Sequence, residues 1–395
     1  MKRLLFQLCL LACVALISIA GSEKFSEGEF IIEGEITGVE DGAVIDLCRV
    51  DDSGVGQRLV FDTIRNGRFF FREKALTNPE KLNIISMSAD FPTTILEVWV
   101  APEAKIKIEG KGKLLTTWEV KSSIPHQEEE NRYKNNSRDI IFETARISLE
   151  IRNLREKAMA ASGDEAVAYK KALDSLSVLR RAIYSKANFA NAEFMLNSNI
   201  SAVWLDKMLI LTGQLRGSND IELRKKVENL YNKMSEEDKN TPTGYRITAN
   251  LFPPPLVGVG DYFADTDFLD KNDKTKHLSD YLGKYLLLDF WSMACGPCIA
   301  ALPEMKEVSE TYRESLTIIS ISLDTDTRWR DAMNKHNMPW VNIRDPKGLG
   351  GLAANYGVYG IPNYVMISPE GKIVDKWVGF SGNGLLKRKV TENIK

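Results

Sequence analysis

The stretch Tyr285-Leu286-Leu287-Leu288-Asp289-Phe290-Trp291-Ser292-Met293-Ala294-Cys295-Gly296-Pro297-Cys298 decides how the last third of this chain folds. Tyr285 to Phe290 is a short apolar run of the kind that forms a buried strand. The residues from Cys295 to about Glu314 read as a helix. Cys295 then sits at a helix N-terminus, where unpaired N–H groups and the helix dipole favour an anion and lower a thiol pKa. The thiolate is the form that attacks a disulfide, and Cys298, nearly one turn on, is placed to resolve the resulting mixed disulfide. Gly296 and Pro297 suit a tight helix start, because proline lacks an N–H that would have no partner there. Two other uses of the pair compete. A zinc site needs further ligands, and the three histidines, His126, His277 and His336, are widely scattered. A static disulfide across two residues would close a small loop with little entropic gain. Redox chemistry is the expectation.

Outward from the pair, strands and helices alternate. Leu316 to Leu323 reads as a second buried strand, followed by a helix from about Thr327 to Asn337. Tyr364 to Ser368 and Lys372 to Val378 flank the turn Pro369-Glu370-Gly371, and a last helix starts near Asn383. This order is that of an α/β layer fold. Its upstream limit is Phe252-Pro253-Pro254-Pro255, which cannot be helix and is a poor interior strand.

The run from Leu288 to Cys298 resembles the thioredoxin active site. Pro303, five residues after the second cysteine, matches that family's helix-kinking proline, and Gly360-Ile361-Pro362 matches its cis-proline loop. The resemblance implies Cys295 as nucleophile, Cys298 as resolving thiol and Asp289 as a buried carboxylate beneath the pair. It implies that substrate backbone docks beside Pro362, with Ile361, Trp291, Gly296 and Pro297 as further substrate-binding positions, although for Trp291 packing beneath the active-site loop is the favoured reading. Gly-Pro between the cysteines is the dipeptide of reducing members. Ala294 departs from the pattern, since the family usually has Trp before the first cysteine. Thr275 to Lys284 and an insertion from Asp324 to Gly357 are similar to the exported TlpA/ResA-like branch. The whole layout resembles Bacteroidetes proteins whose N-terminal domain has no assigned function. Asp289 within an apolar strand is costly without a role, and proton relay to Cys298 is favoured over a plain strand-end position.

Upstream, residues 125–250 carry helical periodicity. Ile140, Thr144, Ile147, Ile151, Leu154 and Ala158 form one stripe; Ala168, Ala172, Leu176, Leu179 and Ile183 form another, after a break at Ser162-Gly163-Asp164. Both are read as core packing. Further helices are expected from about Ser201 to Leu215 and from Ile221 to Met234. Residues 25–115 read as short strands, suggesting a small sandwich or barrel without a catalytic constellation. Asn66-Gly67 is a two-residue hairpin signal within them. The expected architecture is therefore multidomain: a signal peptide over 1–20, an all-β domain over 25–115, an α-helical domain over 125–250 and an α/β thioredoxin-like domain over 256–395.

Lys2 and Arg3 precede an apolar stretch ending in Ser18-Ile19-Ala20, the pattern of a secretory signal peptide cut after Ala20. The alternative is an uncleaved membrane anchor. Leu10-Leu11-Ala12-Cys13 would be a lipoprotein box, but apolar residues follow Cys13 where a lipoprotein turns polar. The localisation expected is the periplasm or cell envelope. Of five cysteines, Cys9 and Cys13 fall in this segment, leaving Cys48 and the close pair, too few for a disulfide framework. The net charge of −2, with no basic run, gives no nucleic-acid surface.

The leading function is reduction of disulfides in exported proteins, with no cofactor or metal, the pair being reset by a membrane electron donor. Peroxide reduction is a second reading: Ser292 sits where peroxiredoxins have Thr or Ser, but Leu288 stands at their upstream proline. A third is that the first 250 residues form a binding module carrying an accessory redox domain.

Overall fold

The computed structural model describes residues 25–50, 56–76, 79–88, 91–92, 94–216 and 218–394; the expected signal segment lies outside them. No helix of the described residues is long and apolar enough to cross a membrane.

The N-terminal strands are β1 (Glu29–Thr37), β2 (Val44–Val50), β3 (Gly56–Thr63), β4 (Arg68–Lys74), β5 (Glu80–Ile85), β6 (Leu96–Val100), β7 (Lys105–Lys111) and β8 (Glu119–Lys121). They form two four-stranded sheets, in the orders β4-β1-β7-β8 and β3-β2-β5-β6. In β1, Ile32, Gly34 and Ile36 are buried while Glu33 and Glu35 are exposed, the period-two pattern of a strand with one wet face. Cys48 is a buried free thiol of β2. Asn66 and Gly67 both have positive φ, 51° and 71°, and Arg65 and Arg68 exchange both backbone hydrogen bonds at 3.0 Å. The turn is therefore the one expected, but its strands part at once. β3 pairs with β2 and β4 with β1, so Asn66-Gly67 joins the two sheets.

Seven helices follow: α1 (Pro125–Asn136), α2 (Arg138–Ala160), α3 (Gly163–Leu196), α4 (Ala202–Leu215), α5 (Ile221–Lys233), α6 (Glu236–Lys239) and α7 (Pro242–Leu251). One hydrophobic core runs from the sheets into the helices, joining Phe30, Leu47 and Val98 to Trp204, Val227 and Ile247. The stripes of α2 and α3 are used unevenly. Ile147, Ile151 and Ile183 form a small separate cluster with Leu173 and Leu176 at its edge. Ala168 and Leu179, expected in the core, are exposed instead, because the outer turns of this helical hairpin pack mainly on each other.

An ionic cluster around the buried Lys207 and Glu130 joins sheet to helices. Lys207 Nζ donates to Glu97 at 3.0 Å and to Glu130 at 2.5 Å, while Lys81 Nζ donates to Glu97 at 2.8 Å and to Asp206 at 2.6 Å. The Trp99 amide donates to Gln127 at 2.8 Å. These bonds tie β5 and β6 to α1 and α4. Burial pushes the Glu97 carboxyl up, but Lys207 and Lys81 more than offset this and hold it below the ordinary range. Burial dominates at Glu130, whose carboxyl is raised.

The C-terminal elements are β9 (Phe268–Asp270), β10 (Thr275–Lys276), β11 (Tyr285–Trp291), α8 (Gly296–Thr311), β12 (Leu316–Ser322), α9 (Asp326–Lys335), β13 (Val341–Arg344), α10 (Leu352–Asn355), β14 (Asn363–Ile367), β15 (Ile373–Val378) and α11 (Leu385–Asn393). The sheet order is β10-β9-β13-β12-β11-β14-β15, with β11, β12 and β13 parallel and β14 and β15 antiparallel. β13, unmarked by the sequence pattern, lies inside the stretch read as an insertion and extends the sheet. Alternation along β11 divides the core. Leu286, Leu288 and Phe290 join one cluster; Leu287 joins Met305 and Val308 of α8 on the other face.

The two halves touch through α7 and the turn Gly348–Gly350. A Cβ on Gly350 would lie 2.3 Å from the Tyr245 carbonyl carbon, so only glycine permits this approach.

Replacing Lys207 by Met should lower unfolding stability by about 3–5 kcal/mol, because it leaves Glu130 buried without that cation and Glu97 with Lys81 alone. Urea titration of the variant and of Lys207→Met combined with Glu130→Gln measures this; the combination should recover part of the loss.

Candidate redox site

β11 delivers the site. Its last residues and the bend Ser292-Met293-Ala294 lead to Cys295, which caps α8: the Cys298 amide donates to Cys295 Sγ at 3.2 Å. Cys295 and Cys298 are joined as a disulfide with a Cα–Cα distance of 5.2 Å. In the reduced state the same N–H and the unpaired amides of the first turn favour negative charge on Cys295. Both cysteines are buried, whereas Gly296 and Pro297 are exposed and Met293 and Ala294 half-buried. The face open to a partner is therefore small and lacks a large ring at position 294.

The bend is held by Asp324, a residue whose part in the site was not anticipated. Its Oδ1 accepts from the Ser292 hydroxyl at 2.8 Å and its Oδ2 from the Met293 amide at 2.8 Å; the Ser322 hydroxyl also donates to Oδ2 at 3.3 Å. The Ser292 hydroxyl oxygen in turn accepts from the Ala294 amide at 3.2 Å. The available signal was an acid just beyond a buried strand, a costly position unless its oxygens are used.

Asp289 is buried in the middle of β11, opposite Ser320 of β12 and Tyr364 of β14. By strand alternation it shares the face of Leu287 and Trp291, the face covered by α8. Its Oδ2 accepts from the Ser320 hydroxyl at 2.8 Å, and Ser320 Oγ accepts from Trp340 Nε1 at 2.8 Å. Burial pushes the carboxyl up to about 7, the Ser320 bond only partly opposing it.

The Ile361-Pro362 bond is cis. Pro362 is buried and its carbonyl accepts from the Gly379 amide at 2.8 Å, while Ile361 is half-buried and Tyr359 and Gly360 are exposed. Ile361 packs against the cluster of Trp291, Cys295, Cys298 and Trp329. Trp291 is only 1% exposed, so it packs beneath the active-site loop as its favoured reading has it, and it offers no surface to a substrate, against its place among the substrate-binding positions.

Residues 259–376 match the AhpC/TSA family. A thioredoxin of Chlorobaculum thiosulfatiphilum is 27% identical over 136 residues, covering 34% of this chain and 99% of that protein. The thiol-disulfide oxidoreductase ResA of Bacillus anthracis is 31% identical over 112 residues, 28% of this chain and 64% of that protein, so just under two thirds of ResA is spanned. A solved thiol-disulfide oxidoreductase from Bacteroides fragilis aligns at 27% identity over 33% of this chain and 98% of that one, with a TM-score of 0.31. With a buried strand running into a cysteine pair at a helix start and a cis-proline beside it, the C-terminal part of this chain is an AhpC/TSA-type thioredoxin-fold domain with thiol–disulfide oxidoreductases of the ResA kind among its relatives.

Proposed function

We propose that this protein is an exported thiol–disulfide oxidoreductase that reduces disulfides of periplasmic or envelope proteins. The observation that carries the reading is the Cys295–Cys298 disulfide at the first turn of α8, with Ile361, which precedes the cis Pro362, packed against it. Export rests on Lys2, Arg3 and the apolar stretch ending at Ala20; the uncleaved segment as an anchor is the alternative.

In the reduced protein the Cys295 thiolate attacks one sulfur of a substrate disulfide. A mixed disulfide forms and the other substrate sulfur leaves as a thiolate, which takes a proton from solvent. Cys298 gives up its proton, attacks Cys295 Sγ and closes the internal disulfide, so the second substrate sulfur departs as a thiolate and two electrons have passed to substrate. Asp289, on the α8 face of the sheet and with its carboxyl near neutrality, accepts the Cys298 proton. Substrate backbone lies against the Ile361-Pro362 loop and the exposed Gly296 and Pro297. A dithiol donor at the membrane returns the pair to the reduced state by the reverse exchange. The Ser292 hydroxyl, the one residue that favoured peroxide chemistry, donates to Asp324 and holds the bend.

Cys298→Ser should accumulate mixed disulfides at Cys295, seen as reducible higher-mass species on non-reducing gels of envelope extracts. Cys295→Ser should lose disulfide reduction altogether; retained activity there would sink the mechanism.

Asp289→Asn should slow closure of the internal disulfide by about 100-fold at pH 8. It should also abolish the rise in that rate through pH 7, followed by stopped-flow Trp fluorescence. The stability effect runs the other way. A carboxyl raised in the folded state is protonated there while the unfolded chain is ionised, so stability falls as pH rises from about 4 to about 7. The variant escapes this loss, on the order of 4 kcal/mol. It should resist urea better than the parent at pH 8, with the difference gone by pH 4.

A further inference from the structure

A cleft of about 700 Å³ separates the helical part of the N-terminal body from the redox domain. One wall is α4 and α7, with Ile210, Gly213 and Arg216; the other is the loop Tyr359-Gly360-Ile361 together with Leu256. Ile361 is common to two places. It lines this cleft and it packs against the cluster holding Cys295 and Cys298. The cleft therefore runs up to the cis-proline loop, where a substrate disulfide is exchanged.

Three properties point to its occupant. Apolar surface is left open along it: Ile210 is 37% exposed, Leu256 60% and Tyr359 69%. Among the described residues that line it, the charged ones, Arg216 and Arg246, are both cations, and none is a carboxylate. Arg216 lies over the Tyr359 ring at 4.5 Å, a contact that joins the two walls and holds the cation in place. Gly213 adds a structural oddity. It sits inside α4, where glycine weakens a helix, yet a Cβ there would meet only Asn250 Nδ2 at 3.9 Å. Packing within the chain does not require the missing side chain, and its absence leaves the helix backbone bare towards the cleft.

We infer that this cleft is the substrate-selecting subsite of the reductase, holding an extended polypeptide segment next to the substrate's disulfide and preferring apolar and acidic side chains. The inference rests on the reductase reading above. The N-terminal body then acts by choosing which disulfides reach Cys295, supplying α4 as a wall beside the cis-proline loop.

The test uses the full chain, reduced beforehand, and two synthetic peptides. Each carries one cysteine in disulfide linkage to a reporter thiol, within the same apolar sequence flanked by Glu or by Lys. Hydroxyethyl disulfide, uncharged and too small to span the cleft, is the third substrate. The parent should favour the Glu peptide over the Lys peptide in kcat/KM, and Arg216→Glu should reverse that order, moving the ratio by about tenfold or more. Gly213→Leu, which fills the cleft and improves helix propensity, should lower kcat/KM for both peptides relative to hydroxyethyl disulfide by about tenfold. A general structural defect would not invert a charge preference. An unchanged Glu-to-Lys ratio in Arg216→Glu overturns the subsite while leaving the reductase intact. Failure of the parent to reduce any of the three disulfides overturns the reductase reading and the subsite with it.

Discussion

The first turn of α8 is the constraint on which the redox domain depends. A sulfur that must carry negative charge is placed where an apolar sheet ends and a helix begins, and the backbone supplies the N–H groups that accept that charge. Holding Cys295 there requires the bend after β11 to keep one shape. Ser292, Met293 and Ala294 have no strand partner to fix them, and Asp324 does this from the end of the neighbouring strand through the Ser292 hydroxyl and the Met293 amide. The carboxylate costs desolvation, and its oxygens accept from the Ser292 and Ser322 hydroxyls and the Met293 amide in return.

Asp289 follows from the same geometry. Strand alternation sends it to the α8 face, and that face is dry because α8 and α11 cover it. The burial that makes the sheet stable therefore raises the carboxyl towards neutrality, where it can exchange a proton. One hydroxyl, that of Ser320, limits the cost without restoring the ordinary acidity.

The N-terminal body is organised by a different rule. Its sheets and helices share one core, so the helices are not an appendage of the redox domain. Lys207, with Lys81 alongside, bridges strand and helix carboxylates inside that body. This orients α4, which also forms a wall of the cleft beside the cis-proline loop. A stable core and a presented surface thus lie on one helix.

The features legible in the sequence were local. The apolar run Tyr285 to Phe290 and the cysteine pair three residues apart depend on neighbours within a turn or a strand, and so do the breaks at Gly163 and at Pro253 to Pro255. Backbone propensity and side-chain period act over that range. Asn66 and Gly67 likewise dictated their own positive φ values. The sequence did not say that the strands they join would part into opposite sheets, since pairing is decided by distant strands competing for one core. β13 went unseen because its four residues are extended mainly by their place beside β12. Which half of the α3 stripe is buried, what Asp324 holds, and which carboxylates face Lys207 were likewise settled only by tertiary structure. Each is a contact between residues tens of positions apart, and burial and ion pairing depend on that distance in space rather than on the order of the chain.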